Sequence, residues 1–215
     1  MVNRLEDRTE IMNEKFFELK KEKQDRMINA ALYVFAQYGY YHASTDEIVK
    51  HAGISKGLLF HYFVSKIGLY AFLYDYATRF VTLELTQNVE KNEDRYFELY
   101  NQITSAKAAA MSQYPYIFIF LDRADEETHP EAVAEITERR DKYRRIMVAL
   151  KERADITGFA PGVDYAKIGE ILDYTIEGIL LKNVKSENFR SDLFLEEAEE
   201  YIDMIKQMSY EKEQG

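Results

Sequence analysis

Between Thr45 and Phe63 the sequence TDEIVKHAGISKGLLFHYF admits very few backbones. Ile48, Val49 and Ala52 line a single apolar face of its opening turns at helical spacing. Gly53 then interrupts the pattern and supplies the positive φ of a sharp turn. Ala52 is small enough for a following helix to approach, and Ile54 returns an apolar group from the turn to the core. Ser55 is an N-cap in front of Lys56–Phe63. The spacing therefore predicts helices over 45–51 and 56–63 meeting at a steep angle through a short turn, the geometry of a helix-turn-helix.

The flanks extend this unit. Met27, Ile28, Ala31, Leu32 and Phe35 share one face of a helix over 23–38, which Gly39 ends as a left-handed cap. Ser44 or Thr45 caps the first short helix, and Ser65 caps a long one that runs to about residue 88. Leu5, Met12, Phe16 and Leu19 share a face at helical spacing, so a short extra helix is expected within residues 1–22. Further helices are expected near 93–113, 115–125, 130–153, 164–184 and 192–209, with TGFAPGV at 157–163 as a loop. Strand signals are weak, and the three prolines, Pro115, Pro130 and Pro161, all fall where helical periodicity lapses. The expected fold class is all-α.

Within Ser55–Lys66 the residue types suit a phosphate-bearing polymer. Backbone amides at the leading end of 56–63 attract phosphate through the helix dipole, and Gly57 leaves room for close approach. Lys66 opens a helix, where a lysine is unfavourable for the dipole, so a phosphate beside it would explain its presence. Tyr62 and His61 can each donate one hydrogen bond to phosphate, and Leu58 can touch thymine methyls. The bland readings are solvated charges for Lys56 and Lys66 and core packing for the aromatic residues. A net charge of −10 opposes a nucleic-acid partner at first sight. Yet between Lys20 and Lys66 seven basic residues face four acidic ones, so the excess acid lies elsewhere.

The stretch YVFAQYGYYHASTDEIVKHAGISKGLLFHYFVSK at 33–66 resembles the DNA-binding domain of the TetR/AcrR family. The resemblance rests on the Phe35–Gly39 helix end, Ser44-Thr45 followed by Ile48, the Ala52–Gly57 turn, the Phe60-His61-Tyr62-Phe63 run and Ser65-Lys66. It implies that positions such as Thr45, Ser55, Lys56, Gly57, Leu58, Phe60, His61, Tyr62 and Lys66, with Ser44 beside them, meet DNA. It also implies that Ile48, Ala52, Ile54, Leu59 and Phe63 hold the core. Phe60 stands where the family commonly has a tyrosine, and Val64 and Gly68 stand where charged or polar residues are usual. The expected domains are an extension at 1–22, a helix-turn-helix domain at 23–68 and a helical effector-binding and dimerisation domain at 69–215.

The resemblance further implies a cytoplasmic homodimeric repressor on a palindromic double-stranded operator, released by a small molecule. Seventeen tyrosines and thirteen phenylalanines, most of them after residue 70, suit either a helical core or a cavity whose hydroxyls await a ligand. Tyr74, Tyr100, Ile103, Phe120, Tyr143, Tyr174 and Glu177 are the candidate effector residues. Broad apolar faces near the C-terminus make Ile171, Ile179, Leu193, Tyr201 and Ile205 candidates for a dimer interface. The alternative is a DNA-binding regulator without an effector, controlled by a partner protein. A helical enzyme is the third reading, but no catalytic constellation supports it. No cofactor is expected, and the histidines His42, His51, His61 and His129 lack metal-site spacing. With no cysteine there is no disulfide, and no stretch is long and apolar enough for a membrane partner.

Overall fold

The structure, a computed structural model, describes residues 15–184 and 189–210. Among these residues the chain forms helices and no strand. They are α1 (Lys21–His42), α2 (Thr45–Ala52), α3 (Lys56–Phe63), α4 (Lys66–Asn88), α5 (Tyr96–Gln113), α6 (Ile117–Asp125), α7 (Pro130–Glu152), α8 (Tyr165–Val184) and α9 (Ser191–Ser209). Two compact units share them: residues up to Phe80 with 116–143, and residues 81–115 with the chain from Arg144 onward. This division by compactness brings α6 and most of α7 together with α1–α3.

In the first unit α1 packs on α2 and α6. Its apolar face is the one read from the sequence: Met27, Ile28, Ala31, Leu32 and Phe35 are all buried. Phe35, Tyr70 and Phe120 meet edge-to-face or tilted at 5.0–6.3 Å, the geometry that the ring quadrupole favours. Gly39 does not end α1 in a left-handed cap. Its φ of 66° comes with an extended ψ of 178°, so it kinks the helix, and one more turn follows to His42. That turn closes with Ala43 N–H donating to the Gly39 carbonyl at 3.2 Å.

In the second unit α9 packs on α5 and α8, burying Phe194, Ala198 and Ile202. Phe97, Phe159 and Tyr210 form a ring cluster with centroids 5.1–5.8 Å apart. With Ala160 N–H bonded to the Ser209 carbonyl, it pins the 157–163 loop. Helix α5 starts later than the apolar pattern suggests because Glu93 turns back on its own segment. Its carboxylate accepts from the Arg95 amide at 2.9 Å and from the Arg95 guanidinium at 2.7 Å.

Of the helix expected within residues 1–22, Leu5 and Met12 lie outside the described residues. Residues 15–17 are helical, and Leu19 and the extended Lys20 follow before α1.

Candidate nucleic-acid interface

The turn between α2 and α3 takes the form that its sequence demands. Gly53 adopts φ 63° and ψ 42°, the left-handed conformation, and its amide bonds back to the Lys50 carbonyl. Ser55 Oγ accepts from the Leu58 amide at 3.2 Å and caps α3. Ile48, Ala52, Leu59 and Phe63 are buried, and Ile54 is half-buried at the turn. Burying these four side chains fixes which face of α3 remains outside. On that face and around it Ser44, Ser55, Lys56, Gly57 and His61 are exposed, whereas Thr45, Leu58, Phe60 and Lys66 are half-buried. Nothing stands where a Cβ on Gly57 would project. Tyr62 is buried, with its ring edge-to-face on Phe63.

Neither lysine singled out in the sequence is free. Lys56 Nζ pairs with Asp46 Oδ1 at 2.8 Å, across the turn on the exposed face. Lys66 Nζ donates to the Tyr41 carbonyl at 3.0 Å and lies 4.8 Å from the centre of the Tyr40 ring. Burial pushes the Lys66 ammonium down, against the pull of Glu127 and Glu131. Lys66 thus joins the start of α4 to the end of α1. The Ser65 hydroxyl caps α4 by accepting from Gly68 N–H at 3.1 Å.

Two of the departures, Val64 and Gly68, have one local cause. Ser65 N–H donates to the Phe63 carbonyl at 2.6 Å across Val64, whose φ is 62° and ψ −47°. This is a γ-turn of the strained, positive-φ kind. It carries the chain from α3 into α4 within two residues and turns the Phe63 carbonyl toward Gly68. A Cβ at Gly68 would stand 2.3 Å from that oxygen. Only glycine lets the first turn of α4 lie so close to the end of α3.

Sequence reasoning missed a polar corner beside this head. The Glu127 carboxylate accepts from the amides of Tyr40 at 3.0 Å, Thr128 at 3.0 Å and His129 at 2.9 Å. Tyr40 Oη donates to Glu131 at 2.7 Å. Burial pushes the Glu127 carboxyl up, but the backbone donors from His129, Tyr40 and Thr128 outweigh it and hold it below the usual range. An open groove of about 450 Å³ runs between this corner and residues 38–42. Its partners are some ninety residues apart in sequence, so no local pattern announces them.

The candidate effector residues divide between the units. Tyr74 and Phe120 are buried in the first, their rings 6.3 Å apart, with Tyr143 half-buried. Tyr100 and Ile103 are buried in the second, where Gly169 leaves space for the Tyr96 and Tyr100 hydroxyls. Tyr174 is 70% exposed and Glu177 is exposed, so both stand on the outer side of α8 and line no interior. Of the candidate interface residues, Ile171, Leu193 and Tyr201 are exposed. Ile179 and Ile205 are already buried within the unit, at 5% and 8% exposure, because they face the packing of α8 and α9. The exposed apolar side of these helices consists instead of Ile171, Tyr174, Leu181, Leu193, Tyr201, Met204 and Met208. Among the described residues no cluster of three or more His, Asp or Glu could hold a metal ion, and no helix is long and apolar enough to cross a membrane.

Residues 27–72 match the family model of bacterial regulatory proteins of the tetR family. The chain is 41% identical over 51 residues to the HTH-type transcriptional activator FasR of Mycolicibacterium smegmatis, 24% of this chain and 23% of that protein. It is 45% identical over 56 residues to the uncharacterised HTH-type transcriptional regulator YuxN of Bacillus subtilis, 26% of this chain and 19% of that one. The chain thus matches only about a fifth to a quarter of the length of these relatives. Similarity of fold extends further. The ketosteroid transcriptional regulator KstR2 of Mycobacterium tuberculosis superposes with a TM-score of 0.65 at 16% identity, over 90% of this chain and 97% of that one. A TetR family transcriptional regulator of Chloroflexus aurantiacus gives 0.61 at 20% identity, over 93% and 98%. The head at 27–72 is thus similar to the DNA-binding domain of bacterial regulatory proteins of the tetR family, and the all-helical fold that carries it is similar to that of solved regulators of this family.

Proposed function

We propose that this protein is a cytoplasmic, sequence-specific DNA-binding transcriptional regulator, working as a homodimeric repressor whose operator affinity is lowered by a small molecule. The observation that carries the reading is the outward face of α3. A helix capped by Ser55 presents Lys56, Gly57 and His61 to solvent, while its other face is locked by Ile48, Ala52, Leu59 and Phe63. A helix so presented enters the major groove with its N-terminal residues at the base edges. The contacts assigned to Ser44, Thr45, Leu58, Phe60, Tyr62 and Lys66 surround it.

The proposed dimer forms through the exposed sides of α8 and α9; a two-fold dimer that reads a palindrome sets its reading helices about 34–36 Å apart, one turn of DNA. An effector acts only if it prefers the conformation that releases DNA, with a coupling of about 1–3 kcal/mol. The second reading, control by a partner protein without an effector, draws support from the buried, ring-packed state of Tyr74 and Phe120.

Selection from a random-sequence duplex pool at low salt tests the first claim. A palindromic consensus is expected, and the absence of any enriched sequence refutes it. Lys56→Ala is expected to weaken binding and to reduce the slope of log affinity against log salt by about 1; an unchanged slope excludes a phosphate contact there. A reporter carrying the selected sequence reads the sign of regulation, and release by a metabolite extract but not by its protein fraction separates effector from partner.

A further inference from the structure

The segment ahead of α1 reaches into the reading head. Phe16 has no exposed surface. Its ring lies 5.8 Å from Tyr62, 5.2 Å from Phe63 and 5.3 Å from Phe72. It therefore fills the angle between the last turn of α3 and the second turn of α4. Phe63 and Phe72 already meet there at 4.9 Å, and Phe16 packs on both rings from outside the helix-turn-helix segment. The turn that carries Phe16 is fastened from below. Gln24, itself 7% exposed, donates from Nε2 to the carbonyl of Phe17 at 3.0 Å and to that of Leu19 at 2.7 Å. A buried amide that spends both of its donors on one short loop specifies the loop's position, because leaving those donors and carbonyls unpaired is costly.

We infer that Phe16, held by Gln24, is a positioning residue for DNA reading: it wedges α3 against α4 and so sets the orientation in which α3 meets the groove. The inference rests on the DNA-binding reading above. The wedge makes no contact with phosphate or base. Its loss therefore changes how well the correct sequence is recognised, not how strongly any duplex attracts the protein. A shell that supports a recognition element fixes its geometry in this way.

The test uses the full chain, with a duplex that the wild type selects from a random pool and a scrambled duplex of the same composition. Phe16→Ala and Gln24→Ala are each expected to lower affinity for the selected duplex by about tenfold or more. Affinity for the scrambled duplex stays within about twofold, and the salt slope is unchanged. Phe16→Leu, which refills the space, is expected to recover most of the loss. A merely structural Phe16 would lower the melting temperature and leave the ratio of the two affinities, per folded molecule, as in the wild type; that result overturns the inference. Should Phe16→Ala fail to fold, Gln24→Ala decides alone, since it keeps the ring.

Native-state hydrogen exchange needs no DNA. In Gln24→Ala the amides of residues 59–63 are expected to exchange about tenfold faster while those of residues 28–35 in α1 hold their rates. Equal rates in both proteins overturn the wedge. If the wild type selects no duplex, the DNA-binding reading fails and DNA positioning with it; the exchange result then still shows whether Phe16 wedges α3.

Discussion

At φ 62° and ψ −47° Val64 crowds its branched Cβ against its own backbone, in a region that L residues with two γ-carbons rarely occupy. Its side chain is 52% exposed and returns little burial for that strain. Val64→Gly is therefore expected to stabilise the fold by about 1 kcal/mol after glycine's extra unfolded-state entropy is set against the strain relieved. Thermal unfolding should show a rise of about 2–4 °C; a fall would mean that the valine makes a compensating contact. Asp46 raises a different question on the same scale. Its pair with Lys56 is exposed on both sides, and such pairs contribute little to stability. Its consequence is for binding, because the carboxylate holds the lysine that a phosphate would take. Asp46→Asn should leave the melting temperature within about 1 °C. It should strengthen binding to the selected duplex several-fold at low salt, and anisotropy titration in a salt series reads both affinity and slope.

Among the elements, the α6–α7 corner shows how one carboxylate can organise a join. Glu127 collects three backbone amides, and Tyr40 reaches Glu131 from the last turn of α1. The kink at Gly39 makes this possible: it redirects residues 40–42 so that the Tyr40 amide is no longer spent inside the helix. Because the Glu127 carboxyl is held below its ordinary value of 4.5, its contribution to stability is fully present above that value. It is lost as pH falls through the depressed folded-state value. Glu127→Gln should therefore lower stability at pH 7 and flatten its decline below about pH 4.5. Denaturant melts at pH 7, 5, 4 and 3 give the comparison, and parallel declines in the two proteins would remove Glu127 from the account.

For the whole molecule the question is what covers the outer side of α8 and α9. Ile171, Tyr174 and Leu181 follow one another along α8 at helical spacing, and Leu193, Tyr201, Met204 and Met208 do so along α9. These are the side chains through which the proposed dimer would form. Tyr201→Glu together with Ile171→Glu should convert a dimer to a monomer in sedimentation velocity while leaving helical content unchanged. Because the buried Ile179 and Ile205 are untouched, persistence of the dimer would place its interface on another surface. The charge distribution belongs to this scale as well. The acidic excess outside residues 20–66 discourages non-specific adhesion to nucleic acid.

The helices were legible from sequence because their causes are local. Apolar spacing, Ser55 as a cap, Gly53 at a positive φ and proline at the boundaries act within one or two turns of chain. The turn geometry and the buried set Ile48, Ala52, Leu59 and Phe63 follow from them. What the sequence left open depends on partners remote along the chain. That Lys66 also donates to the Tyr41 carbonyl and stands beside the Tyr40 ring is not visible in its own segment. Gly39 reads as a cap until Glu127 takes the amide that follows. Tyr174, Ile179 and Ile205 all lie on apolar stretches, and a periodic pattern alone does not say which turn of a helix faces its neighbour and which faces water. Tertiary packing decides that, because burial is a property of the assembled faces and only the spacing of apolar residues is a property of the chain.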